Sequence, residues 1–157
     1  MKFRDFIIDD AVVMNLQSVE RDDAIAEMVE GLKKSGKVGD EHANEIVKAL
    51  LKRERLGSTG IGKGVAVPHA KHGNVRGLMG AFGKSEKGIE FNALDGEKVY
   101  CVFMLLSHAD ASGPHLQALA YISNLLRDDR FCRFLRDAKT KSDILDLFTE
   151  ADQRTTS

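Results

Sequence analysis

The chain has 157 residues, of which 43% are hydrophobic, 30% charged and 6% aromatic, with only 2 prolines. That composition supports one globular domain with its own core and excludes disordered, collagen-like and low-complexity classes. Lysine plus arginine number 23 against 24 acidic residues, a formal net charge of -1, so the basic excess that drives binding to a nucleic-acid backbone is missing.

The N-terminus Met1-Lys2-Phe3-Arg4-Asp5 leads into no apolar signal segment, and the longest apolar run, Val99 to Leu106, is far shorter than the ~20 residues that span a bilayer. A cytoplasmic protein without stable membrane insertion is expected. After a short apolar stretch, Ala11 to Leu16, Ser18 suits the N-cap of a helix in which Ile25, Met28, Val29 and Leu32 recur at helical spacing, and Gly36 ends it. A second helix begins near an Asp40 cap, carries Ala43, Ile46, Val47, Leu50 and Leu51 on one face, and breaks at Gly57.

Glycines then punctuate the segment from Gly57 to Gly73, and the short Val- and Ile-containing pieces between them predict turns and strands. Strands are expected over Gly64 to His69, Leu78 to Lys84 and Lys98 to Ser107; the last is apolar on both faces and therefore central in its sheet. Helices return with Pro114 in a first-turn position, a stripe of Leu116, Leu119, Ala120 and Ser123, and a Phe131, Phe134, Leu135 segment. Thr140-Lys141-Ser142-Asp143 resembles a capping box opening a final helix through Ile144, Leu147 and Phe148. Helices on both sides of strands imply a single-domain α/β sandwich with a mixed sheet, spanning 5–152, with a polar tail over 153–157. Cys101 and Cys132 lie in apolar stretches with no CxxC or CxxH pairing, which suggests buried reduced thiols.

Gly57, Gly62 and Lys63 match the start of a phosphate-binding P-loop, but Gly64 stands where Ser or Thr must hold Mg²⁺, and the segment follows a helix instead of a strand. A dinucleotide fingerprint fails as well, because Val65 occupies the third glycine position. The simpler reading is a tight crossing between helix and strand. His69 follows Pro68 at the end of a short Val-Ala-Val strand, where the missing N–H favours a strand end open to a partner. A histidine there is partly neutral, hence nucleophilic, near physiological pH. His115 stands in the first turn of a helix, where the dipole and unpaired N–H groups favour an anion. Arg53 adds a fork of donors suited to phosphate oxygens, although Lys52-Arg53-Glu54-Arg55 leaves open which basic residue points inward. Metal binding by His69, His72, His108, His115 and Asp110 is the rival use, and it requires a specific bend between His69 and His72.

Leu56-Gly57-Ser58-Thr59-Gly60-Ile61-Gly62-Lys63-Gly64-Val65-Ala66-Val67-Pro68-His69 closely resembles the phosphorylation-site signature of fructose/mannitol-type (type 2) enzyme IIA domains of the bacterial phosphotransferase system. Arg53 stands where that family places a phosphate-binding arginine, and His115-Leu116-Gln117-Ala118-Leu119 resembles its second active-site histidine opening a helix. The resemblance implies a phosphocarrier: His69 accepts a phosphoryl group from HPr or its nitrogen-branch relative, Arg53 and His115 stabilise it, and no metal or cofactor is needed. It also implies an α/β sandwich. Gly-Ser-Thr-Gly-Ile-Gly, with no attached IIB or IIC region, is most similar to the nitrogen-regulatory type, with a regulatory target protein as partner. The alternatives are a sugar-specific IIA that donates to a cysteine of enzyme IIB, or a regulatory interaction module without transfer. Departures at Ala70 and at Ser107-His108-Ala109-Asp110, where a more apolar or proline-containing turn is common, bear on partner specificity.

Overall fold

The computed structural model describes residues 1–154. Among them a six-stranded mixed sheet is flanked on both faces by five helices, the expected α/β sandwich. A single 3-10 turn, Phe3–Asp5, precedes β1 (Ile7–Val13); helices α1 (Arg21–Lys34) and α2 (Ala43–Leu56) follow. The glycine-rich segment holds β2 (Gly60–Gly62), β3 (Val65–Ala66) and β4 (His69–Lys71), and the long strands β5 (Leu78–Ile89) and β6 (Val99–Ser107) come next. Helices α3 (Ser112–Leu126), α4 (Asp129–Asp137) and α5 (Lys141–Arg154) complete the chain.

The sheet runs β1-β5-β6-β3-β2, with β4 also paired to β6. β5 and β6 are antiparallel, whereas β1 lies parallel to β5, and both β3 and β4 lie parallel to β6. The two-faced apolar run of β6 is explained by this central place. Its Val102, Met104 and Leu106 enter the core under α1 and α2, while Cys101, Phe103 and Leu105 enter the core under α3, α4 and α5. Both cysteines are free and buried.

The expected strand over Gly64 to His69 is in fact two. Val65 and Ala66 pair with Cys101 and Val102, and His69 to Lys71 resume further along β6 opposite Leu105 to Ser107. Pro68 sits in the gap, where its missing N–H interrupts the ladder, so His69 opens a strand instead of closing one. β1 was visible in the sequence only as an apolar stretch, because the consecutive exposed Asp9 and Asp10 break the alternation that marks a strand.

Helix starts also differ from expectation. Glu20, not Ser18, is the N-cap position of α1; the Ser18 hydroxyl donates instead to Glu27 Oε1 at 2.7 Å, which cross-links the approach segment to the helix. His42, not Asp40, precedes α2. In α3 the buried face is His115, Ala118, Ile122 and Leu126, one step from the expected stripe, and Leu116 is left 66% exposed. The capping box of α5 forms as read: Asp143 N–H donates to Thr140 Oγ1 at 3.1 Å, and Thr140 N–H donates to Asp143 Oδ2 at 3.2 Å. Helix α5 continues through Arg154, into the stretch expected as tail, and positions 155–157 lie outside the described residues.

Candidate functional site

His69 is half-buried at the first position of β4. Its Nδ1 lies 2.8 Å from the Val67 carbonyl oxygen. A carbonyl only accepts, so Nδ1 must carry the proton, and the neutral ring is left with its lone pair on Nε2. Burial pushes the imidazole pKa below its ordinary value, and the positive Arg53 adds to the effect against the opposing pull of the Val67 hydrogen bond. His69 therefore rests neutral at physiological pH with a nucleophilic nitrogen.

The ring of His115 stands 5.6 Å from that of His69, centroid to centroid, tilted by 56°. It is buried, and burial, reinforced by repulsion from His69 when that ring is protonated and from Lys71, pushes its pKa down to about 4. Nδ1 of His115 is 2.6 Å from Oγ of Ser107, a fully buried residue at the end of β6. The helix support expected at His115 is thinner than the sequence suggested. Its own backbone N–H donates to Ala111 O at 3.0 Å, and the preceding Pro114 has no N–H, so neither position leaves a backbone donor free.

Arg53 borders the same crevice from the last turn of α2, as does the neighbouring Lys52, whereas the exposed Arg55 does not line it. One arm of the guanidinium, Nη1, donates to the Gly57 carbonyl at 2.8 Å and so ties the arginine to the start of the glycine segment. That segment is anchored from beneath by Glu54, buried in the same helix turn. Its carboxylate accepts from the Thr59 N–H at 3.1 Å and from the Thr59 hydroxyl. The glycines serve a close crossing: a Cβ on Gly60 would fall 2.9 Å from Ala93 Cα. Together His69, His115 and Arg53 line one open cavity of about 530 Å³ with Lys52, Lys71 and the apolar Leu56, Leu116 and Leu119.

Ser107 stood out only as part of the departing turn 107–110, not as a site residue, and Lys71 and Glu54 were not singled out from the sequence. Lys71 was within reach of it, because residues i and i+2 of a strand share a face; its ammonium donates to Ser112 Oγ at 3.1 Å across the rim. Of the residues of the metal alternative, His69 and His115 share the crevice, while His72 and His108 find carboxylates elsewhere. His72 pairs with Glu45 at 3.4 Å and His108 with Asp110 at 3.7 Å, and among the described residues no three His, Cys, Asp or Glu groups are arranged to hold a metal ion.

Residues 5–151 match the family model described as "Phosphoenolpyruvate-dependent sugar phosphotransferase system, EIIA 2". The chain is 36% identical over 153 residues to the "PTS system fructose-specific EIIABC component" of Bacillus subtilis, a match covering 98% of this chain but 24% of that protein. It is 32% identical over 139 residues to a "Nitrogen regulatory protein" of Bradyrhizobium diazoefficiens, covering 88% of this chain and 89% of the relative. Its fold is similar to the crystal structure of the nitrogen regulatory protein IIA-Ntr from Neisseria meningitidis, with a TM-score of 0.83, 25% identity, and coverage of 92% of this chain and 97% of that one.

Proposed function

The chain belongs to the EIIA type 2 family of the phosphoenolpyruvate-dependent sugar phosphotransferase system, and on that premise we propose that it is a phosphocarrier whose His69 accepts a phosphoryl group from an HPr-type protein and hands it to a second protein. The observation that carries this reading is the lone pair that the Val67 carbonyl leaves on His69 Nε2, inside a crevice shared with Arg53 and His115. Transfer from a donor phosphohistidine breaks one N–P bond, whose electron pair returns to the donor ring, and forms another at His69 Nε2. His69 keeps its Nδ1 proton throughout, so no proton needs to leave the acceptor. The transferred group passes through a loose, metaphosphate-like state with charge on its equatorial oxygens. The Arg53 fork and the His115 ring offer donors for that charge.

The crevice rim favours a protein over a small molecule on each side of the exchange. Leu56 is 81% and Leu116 66% exposed beside the site, with Lys52 and Lys71 next to them, a patch suited to docking an apolar surface with an acidic margin. The two branches of relatives divide the downstream partner: a cysteine of enzyme IIB in sugar uptake, as the composite name of the fructose-specific relative suggests, or a regulatory target, as the nitrogen regulatory relatives suggest. Among the described residues no helix is long and apolar enough to cross a membrane, which is in keeping with a cytoplasmic site of action. Incubation with a phosphorylated HPr-type donor should place an acid-labile, base-stable phosphate on the wild-type chain and none on His69→Ala. Equal labelling of the two, or no labelling with any donor of either branch, rejects the reading.

A further inference from the structure

Ser107 is the single polar side chain in the run from Val99 to Ser107 apart from the Tyr100 hydroxyl, and it is fully buried. Its backbone is fixed on both sides, opposite Lys71 of β4 and Leu78 of β5, and its carbonyl accepts from His72 N–H at 3.0 Å. The side chain is therefore held with Oγ 2.6 Å from His115 Nδ1.

The direction of that bond follows from what each partner needs. A hydroxyl has one proton to donate, and a buried donor left unpaired carries its full desolvation penalty. Among the described residues, the hydrogen bond of the Ser107 hydroxyl is the one to His115 Nδ1, and no buried side-chain polar atom among them lacks a partner. If Nδ1 carried the proton, the hydroxyl would accept and its own proton would be stranded. If the hydroxyl donates, both needs are met at once, and the proton of the neutral His115 ring falls to Nε2. Burial keeps that ring neutral.

We propose that Ser107 is a positioning residue for the handover at His69: by donating to His115 Nδ1 it holds His115 as the Nε2–H tautomer, which presents a donor to the phosphoryl oxygens. The two rings are then set in opposite senses. The Val67 carbonyl makes His69 Nε2 a lone pair, and the Ser107 hydroxyl makes His115 Nε2 an N–H. With the His115 tautomer reversed, a second lone pair would meet the anionic oxygens. This inference rests on the phosphocarrier reading of His69.

The test combines a tautomer measurement on the unphosphorylated chain with transfer kinetics. In the wild type labelled with ¹⁵N-histidine, two-bond ¹⁵N–¹H spectra at pH 7 should show His115 in the Nε2–H form. Ser107→Ala should shift it toward a mixture and slow transfer to or from His69 by about tenfold, less than the ~10²- to 10³-fold expected when an oriented donor is removed outright. Ser107→Thr, which keeps the hydroxyl, should restore both, and Ser107→Cys, with a weak donor of similar shape, should fall between. A wild-type His115 protonated on Nδ1, or a Ser107→Ala chain with unchanged tautomer and unchanged transfer, overturns the assignment to Ser107 while normal His69 labelling leaves the phosphocarrier reading intact. Failure of His69 to label with any donor overturns that reading and the handover role with it, even if the tautomer spectrum is as expected.

Discussion

A histidine that is to attack phosphorus at neutral pH needs a free lone pair, and a histidine that is to steady the transferred charge needs the opposite, a free N–H. On the proposed reading the site meets both needs with neutral rings, because burial lowers both pKa values, His115 to about 4. If His115 is a donor and not an acceptor of the group, His115→Ala should still be labelled on His69 but should transfer ~10²- to 10³-fold more slowly in at least one direction; wild-type rates in both half-reactions would reduce His115 to a helix residue. The lowered pKa values also make a stability statement. A histidine whose folded pKa lies below its unfolded value contributes stability above the unfolded pKa, near 6.5, and loses it as pH falls toward the folded value. For His115 the window runs from 6.5 down to about 4, and with about 1.4 kcal/mol per pKa unit the loss is on the order of 3 kcal/mol. Urea unfolding of the wild type should weaken across that window, and His115→Asn should flatten the slope; parallel slopes for the two proteins would contradict the burial argument.

At the scale of elements, the last turn of α2 and the glycine segment behave as one unit. Arg53 reaches forward to the Gly57 carbonyl, and buried Glu54 holds both the N–H and the hydroxyl of Thr59. Removing that carboxylate leaves two donors without their partner. Glu54→Ala should therefore cost about 1–3 kcal/mol and speed amide exchange at Thr59; an unchanged unfolding midpoint with unchanged exchange would show the loop to be held by other contacts. Much of this region was legible in the sequence. His69 at the end of the signature, the arginine sixteen positions before it and the histidine in the first turn of α3 come together in one crevice. What stayed hidden depends on register and on competition between hydrogen bonds. Ser107 meets His115 only once β6 and α3 are packed, and Lys71 joins the rim only because His69 opens a strand. Ser18 looked like a helix cap, yet the carboxylate of Glu27 accepts from its N–H and hydroxyl as well as from the Gln17 N–H. The Asp9-Asp10 pair concealed β1, since an edge strand tolerates charge that a central one does not.

Across the whole molecule, β6 carries the load between two cores. Its alternate side chains pack under α1 and α2 on one face and under α3, α4 and α5 on the other, and its far end delivers Leu105 and Ser107 to the strand that begins with His69. The two ends of the described chain are tied together as well: buried Asp152 of α5 accepts from the N–H groups of Phe3 and Arg4 at 2.8 and 3.1 Å and from the Tyr121 hydroxyl at 2.6 Å, while Phe3 stacks on Phe148 with centroids 4.3 Å apart. The sandwich thus frames an open crevice, an arrangement that suits the proposed exchange of a group between two other proteins. In the proposed phosphocarrier a single atom of a single residue, His69 Nε2, receives the phosphate. Heteronuclear ¹⁵N and ³¹P NMR of the chain phosphorylated by an HPr-type donor should find a single phosphohistidine at His69, with phosphorus on Nε2 and the proton still on Nδ1; phosphate on His69 Nδ1, or on any other residue, would contradict it.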